Sequence, residues 1–502
     1  MLDRRNLLRA GGALAATAAV AGTGNSAYAA GGGSAGVATT ADWATLSTRI
    51  QGDIVLPGDT AYEASKQLAI GEFDAINPAG VVYAENATDV SNVIRFAQES
   101  GLSLRTRSGG HNFAGWSTGN GVLLDVSRIK HITGGGQPTV HLGPGVQSIE
   151  AVTALKPYNQ QFVTGTCPDV CVGGFLSGGG IGYQSRAFGI GSDSLVSAKL
   201  VLADGRVVRA SQSCNSDLFW AIRGSGGGNF GVVVDFEVRP VSAPRMVFYE
   251  QIWSWDNAEA FLDAWQKWYV TTPRNSNAQV IVIQPDAGSG QPPIILQQGA
   301  YYGTKAQADA GLADLNSRVG ATPATSKVLD LAFADGMQHV YGLADGAQHP
   351  PRTQWQRMRA RMISKPLGTT GTKAALAAFQ AMPTAGQTRY LSFMGLGGAV
   401  GDRAVSDTAF IHRDALFHVG FGVALYNAAP AAADSAAAVA WATNGFNTID
   451  PLSTGHSYIN FPDTYLPNWQ EGYYGSNYSR LVQVKNTYDP NRFFNHPRAI
   501  GN

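Results

Sequence analysis

Two short stretches bring together residue types that can do chemistry. Arg105-Thr-Arg107-Ser108-Gly109-Gly110-His111-Asn112-Phe is a glycine turn that ends in a histidine. Thr166-Cys167-Pro-Asp-Val-Cys171-Val-Gly173-Gly174 sets a cysteine before a second glycine run, which continues to Ser177-Gly178-Gly-Gly-Ile-Gly182. Glycine lets backbone approach a ligand closely, and exposed N–H groups suit phosphate oxygens. A histidine and a cysteine beside such turns can be metal ligands, a nucleophilic pair or attachment points for a cofactor. In the tail, Tyr458, Tyr473, Tyr474 and Asn477 gather around a helix start and read as a pocket lining.

Spacing removes several of these chemistries. Gly31–Gly36 and Gly226–Gly231 both satisfy Gly-x-Gly-x-x-Gly. The first sits in a loose leader and the second between a helix and a following strand, whereas a dinucleotide fingerprint needs strand, turn, then helix. A zinc site on Cys167 and Cys171 lacks a second Cys/His pair at a recognisable spacing. Nothing orders an oxyanion site around Cys167 as a nucleophile.

The elements that must hold these turns alternate between strand and helix. Strands are expected at 80–83, 102–106, 121–126 and 139–142, with helices opening at Asn86 and spanning 148–155. Strands at 194–203 and 232–238 flank a short helix at 216–222. Composition shifts at Pro240, with Ala243-Pro244 as the expected boundary. Beyond it, strands at 247–255, 278–284, 294–302, 390–396 and 416–425 mix with helices at 257–269, 305–319, 372–382 and 431–444. The predicted fold is α+β. A two-subdomain ligand-binding unit at 42–242 precedes an α+β substrate unit with an antiparallel sheet at 243–455, and a segment at 456–502 returns to the first unit.

Bulk properties bound the class. The 502 residues are too many for one core. Lys+Arg and Asp+Glu both number 36, which gives no case for nucleic acid or a polyanionic partner. Residues 1–29 read as a twin-arginine signal. Asp3-Arg4-Arg5-Asn6-Leu7-Leu8 precedes an uncharged run too short to span a membrane, and Ala27-Tyr28-Ala29 offers a cleavage site. Residues 30–41 are a flexible leader. The expectation is a secreted chain with no stable membrane anchor. Its three cysteines cannot all pair, so one is free or spent on something other than sulfur.

At this point the residues carry a family resemblance. Arg107-Ser-Gly-Gly-His111-Asn112, Gly165-Thr-Cys167-Pro-Asp-Val with Gly178-Gly-Gly-Ile-Gly182, and Tyr474-Gly-x-Asn477-x-x-Arg480-Leu resemble the berberine-bridge-enzyme-like flavoprotein oxidases of the vanillyl-alcohol-oxidase superfamily, in the bacterial branch near the oligosaccharide and aclacinomycin oxidases. The resemblance implies a PCMH-type FAD-binding domain with FAD joined to both His111 and Cys167. Cys171, where relatives usually carry glycine, is a second candidate sulfur, and Cys171 and Cys214 can pair or remain thiols. Arg107, Ser108, Gly109, Gly110, Asn112, Gly173, Gly174, Gly178, Gly182, Val232, Tyr474 and Asn477 are the remaining implied cofactor contacts.

The implied reaction takes a hydride from an alcohol, a sugar lactol or a glycosylated metabolite, and reduces O₂ to H₂O₂. Tyr458 matches the first tyrosine of the family's Tyr-x-Asn-Tyr-x-Asp segment and is the expected base, while Phe461 replaces the second. A supporting acid is expected near His412-Arg413-Asp414. Trp253, Trp255, Trp265, Trp268, Trp469 and Tyr473 suit stacking on sugar rings, although most of them read better as core. Two other readings keep the fold: a dehydrogenase with another electron acceptor, and a secreted glycan-binding protein without turnover.

Overall fold

The computed structural model describes residues 41–344, 352–426 and 430–502. The twin-arginine pattern and nearly all of the leader lie outside them. Local signals act as their chemistry dictates. Asn86 caps the Ala87–Glu99 helix, its side chain accepting from the N–H groups of Thr88 at 2.8 Å and Asp89 at 3.0 Å. Val90, Val93, Ile94 and Ala97 then form its buried face.

That face covers a four-stranded sheet of β1 (Ile54–Val55), β2 (Gly80–Tyr83), β3 (Leu104–Arg107) and β4 (Val122–Asp125), ordered β1-β2-β4-β3. β2, β4 and β3 run parallel, and all four residues of β4 are buried, as strands covered on both faces must be. A second, antiparallel sheet follows. It contains β5 (Ile132–Thr133), β6 (Val140–Leu142), β8 (Leu195–Val201), β9 (Val207–Ser211) and β10 (Val232–Val238), ordered β5-β6-β10-β8-β9. A short ribbon pairs β7 (Gln160–Gln161) with β11 (Val241–Ser242).

The rest of the chain builds one seven-stranded antiparallel sheet. Its strands are β12 (Arg245–Trp253), β13 (Ser276–Gln284), β14 (Ile294–Tyr301), β15 (Thr325–Ala332), β16 (Trp355–Ile363), β17 (Thr388–Gly395) and β18 (Phe417–Leu425), ordered β15-β12-β14-β13-β17-β18-β16. β15 and β16 escaped the sequence reading. In β16, Arg357, Arg359 and Arg361 alternate with Met358, Ala360 and Met362. The arginines pair with Glu72, Asp463 and Asp450.

Side chains alternate across the sheet, so each face has its own partner. One face packs against the helices Ala258–Thr271, Lys305–Val319, Gly368–Gln380 and Ala432–Ile449. Trp253, Trp265 and Trp268 belong to that core, each at most 3% exposed. Trp255 packs against the same core, while Trp469 and Tyr473 join the core of the first half. These rings are therefore core side chains, the reading the sequence favours for most of them over sugar stacking. They are structural, because helical and strand spacing marks a buried face without saying what covers it.

The C-terminal segment returns to the first half, held by a buried cation. Lys485 Nζ donates to the carbonyls of Asn229 and Phe494 and to Asp489 Oδ2, the last at 2.7 Å, with both charged side chains fully buried. Asp489 also accepts from the N–H groups of Phe493 and Phe494. Among the described residues no helix is long and apolar enough to cross a membrane. Lys485→Met should leave the Asp489 charge buried without its partner and destabilise the protein by about 3–5 kcal/mol, read as a lowered denaturant midpoint.

Candidate functional site

A cavity of about 1880 Å³ lies between the glycine-rich turns of the first half and the second face of the seven-stranded sheet. A pocket for one small ligand measures roughly 300–1,000 Å³, so this one has room for two.

The turn after β3 is organised from beneath and from within. Arg107 is buried; it bonds to Asp125 on the neighbouring strand and donates to the carbonyls of Ser65 and Gln67. Asn112 Oδ1 accepts from the N–H groups of Ala114 at 3.0 Å and Trp116 at 3.1 Å. With the turn closed in this way, and Gly110 at φ 71°, the N–H groups of Gly109, Gly110, His111 and Asn112 donate to no acceptor among the described residues. Ser108 through Asn112 all line the cavity. Four such donors on residues that line a cavity suit an anion.

The second turn meets the first through His111, whose Nε2 is 3.4 Å from Asp169 Oδ2. Cys167 lines the cavity half-buried, and burial together with the Asp169 carboxylate pushes its thiol up to about 12, against the Thr166 hydrogen bond. Cys171 also borders the cavity, but its Sγ donates to the Gly145 carbonyl at 3.3 Å. A Cβ on Gly109 would stand 3.0 Å from that sulfur, so the Ser-Gly-Gly-His turn lies against it. Cys171 and Cys214 are both thiols, one buried and one exposed.

Gly173 and Gly174 open the Val172–Ser177 helix, and both line the cavity. A Cβ at Gly174 or at Gly227, in the Gly226–Gly231 turn, would meet no protein atom within 4 Å. These glycines face space that a ligand would fill. Together with the N–H cradle, they fit a large phosphate-bearing cofactor such as FAD. Val232 lines the same wall, as do Phe494, Asn495 and His496, which the sequence reading missed. His496 stacks on Trp116 at 5.1 Å.

Five expected contacts lie elsewhere. Arg107 holds the turn from below. Gly178 carries no side chain because a Cβ would strike Asn460 Oδ1 at 1.9 Å, and at Gly182 it would strike the Thr164 carbonyl at 1.9 Å. Tyr474 is fully buried and donates to the Ser225 carbonyl at 2.8 Å; Asn477 donates to the carbonyls of Val405 and Thr408. They brace the cavity wall without lining it.

Tyr458 lines the cavity, 2% exposed. Its oxygen accepts from the Gly180 N–H at 2.8 Å and from Asn460 Nδ2 at 3.0 Å. Burial raises the phenol above its ordinary range while those two donors pull it back. Its neighbours are rings: Phe461 at 5.8 Å, Phe410 at 6.0 Å, His412 at 6.3 Å and His418 at 6.4 Å. The expected acid is not beside it, since Asp414 is exposed and Arg413 pairs with Asp193 at 2.8 Å. In its place stands His418, fully buried under Phe461, with neither ring nitrogen hydrogen-bonded among the described residues. Burial holds that imidazole down to about 4.

Residues 78–211 match the family described as FAD binding domain, and residues 457–501 match berberine and berberine like. An uncharacterized FAD-linked oxidoreductase of Bacillus subtilis is 28% identical, with 90% of this chain and 99% of the relative covered. A chitooligosaccharide oxidase of Gibberella zeae is also 28% identical, covering 84% of this chain and 87% of the relative. Among solved structures, a glucooligosaccharide oxidase from Acremonium strictum, described with 6-S-cysteinyl, 8α-N1-histidyl FAD, superposes with a TM-score of 0.81 at 22% identity, covering 92% and 99% of the two chains.

Three buried histidines make the site acid-sensitive. Burial depresses His412 and His418, and burial with Arg105 and Lys485 nearby takes His496 down to about 3. Below the ordinary value of 6.5 the unfolded chain protonates these rings and the folded chain does not, so stability is lost as pH falls. Between pH 6.5 and 4 each should contribute a slope of up to about 1.4 kcal/mol per pH unit. Urea unfolding across that window should show a shallower slope for His418→Phe than for the parent.

Proposed function

We propose that the chain, whose residues 78–211 match the FAD binding domain family and whose residues 457–501 match the berberine and berberine like family, is an exported FAD-dependent oxidase of the berberine-bridge-enzyme-like kind acting on an alcohol. The alcohol carbon loses a hydride and its hydroxyl loses a proton, giving a carbonyl; O₂ takes up both electrons and two protons as H₂O₂. FAD, when bound, supplies the hydride-accepting ring.

This chain's residues supply the rest. The N–H groups of Gly109 through Asn112 would hold the pyrophosphate, and Gly173, Gly174 and Val232 would border the cofactor. His111 and Cys167 face the cavity from adjoining turns, which supports them as its two covalent anchors. The Acremonium strictum oxidase, with its cysteinyl and histidyl FAD, supports the same pairing. Cys171 is disfavoured because its thiol is already engaged with the Gly145 carbonyl. The twin-arginine pattern at residues 1–29 supports export.

The observation that carries the reading is the environment of Tyr458. An oxygen that accepts two N–H hydrogen bonds is prepared to hold negative charge, which is what a phenol needs in order to take the substrate's hydroxyl proton. Burial works against ionisation, so the basic form gains population as pH rises. Flavin reduction, followed anaerobically, should therefore speed up toward alkaline pH. Tyr458→Phe should slow it by about 10²–10⁴ and flatten the profile, leaving reoxidation by air unchanged; equal losses in both half-reactions would remove the base from Tyr458. Purified protein should be yellow and keep its flavin through acid precipitation. Peptide mapping should place the flavin on His111 and Cys167, with Cys171→Ala retaining both links. Colourless protein would refute the reading.

A further inference from the structure

The sheet face that closes the cavity has two chemically different stripes, and strand register sets both. Lys327, Glu250, Gln298 and Gln279 stand opposite one another across β15, β12, β14 and β13. The same line continues through Met394 and His418 on β17 and β18, beside Tyr458. Two residues along each strand, on the same face, the line reads Thr325, Ile252, Leu296, Ile281 and Ser392. Ile283 extends this aliphatic stripe by one more row. From β15 to β17 is four strand spacings, about 19 Å.

The polar stripe is a connected network. Glu250 Oε2 accepts from Gln298 Nε2 at 2.8 Å, and Gln298 Oε1 lies 3.4 Å from the Tyr183 hydroxyl and 3.5 Å from Gln279 Nε2. The aliphatic stripe ends at a single row with Tyr390 opposite Ile283, and Trp253 points to the sheet's other face with Trp265 and Trp268 packed on that side. A glycan carries hydroxyls along both edges. Lying across these strands it would press one set against Ile252, Leu296 and Ile281, stripping their water without replacing it. A body with one apolar face and hydrogen-bonding groups along one edge meets both stripes.

Resting on the oxidase reading above, we propose that the substrate is an elongated, facially amphipathic alicyclic alcohol. Its apolar face lies on Ile252, Leu296, Ile281 and Ile283. Its hydroxylated edge follows Gln279, Gln298 and Glu250, and the carbinol to be oxidised sits at the Tyr458 end.

Calorimetric titration of the flavin-loaded protein under nitrogen, at two temperatures, tests this with methyl cholate and cellotetraose as probes. Methyl cholate should bind at least about tenfold tighter, with a negative heat-capacity change from apolar burial. Ile281→Gln and Leu296→Gln, checked for native flavin content, should each weaken methyl cholate by about tenfold or more. Cellotetraose binding as tightly as methyl cholate, no binding of methyl cholate, or unchanged affinity in both variants overturns the proposal. These outcomes are separate from failure of the oxidase reading, which would show as protein purified without flavin.

Discussion

A buried ammonium sets the geometry of the whole site. Lys485 hands its three protons to the Asn229 carbonyl, the Phe494 carbonyl and Asp489. The first acceptor belongs to a glycine turn on the cavity wall and the second to the tail segment that completes that wall. Desolvating a lysine is unfavourable unless every donor finds a partner, so the three groups are held in one arrangement. The Ile500 N–H reinforces it by donating to Asn229 Oδ1 at 3.0 Å. Because the segment that delivers Tyr458 is continuous with this clamp, tyrosine and glycine turns share one frame.

Within that frame the cavity is polarised. Its first wall presents N–H donors that have no acceptor among the described residues, and two side chains able to bond a cofactor. The opposite wall is a strand surface whose pleat separates hydrogen-bonding from aliphatic residues. Tyr458 stands where the two meet, ringed by phenylalanines and uncharged histidines. A low-dielectric setting of this kind strengthens the two hydrogen bonds to its oxygen while disfavouring a free charge there. Among the described residues the immediate neighbours contribute no carboxylate, so burial raises the phenol and hydrogen bonds, not an ion pair, oppose it.

What could be read from the sequence was what depends on neighbours in the chain. The His111 and Cys167 turns, the Asn86 helix start and the Tyr458 motif are local; His111, Cys167 and Tyr458 line the cavity, and Asn86 caps its helix. Arg107 was legible as a donor but not as a brace, because Asp125 becomes its partner only through strand pairing. β16 was hidden by its charges. The period of two is present, but Arg357, Arg359 and Arg361 resemble a solvated segment until Glu72, Asp463 and Asp450 arrive from distant parts of the chain. The tryptophans show a related limit: period tells which residues share a face, and tertiary packing decides whether that face meets helices or a ligand.

The outermost strands of the large sheet carry a further consequence. An open strand is a template on which another chain can extend the sheet. On β16 the arginines break any flat apolar strip, and the Met362 N–H and carbonyl are already engaged by His456 and Thr454. On the opposite margin, β15 is studded with Lys327 and Asp330, the latter tied to Arg245. A protein with so wide an aliphatic interior surface thus guards both margins against fibril-like stacking, and colloidal solubility is written into the same strands that shape the pocket.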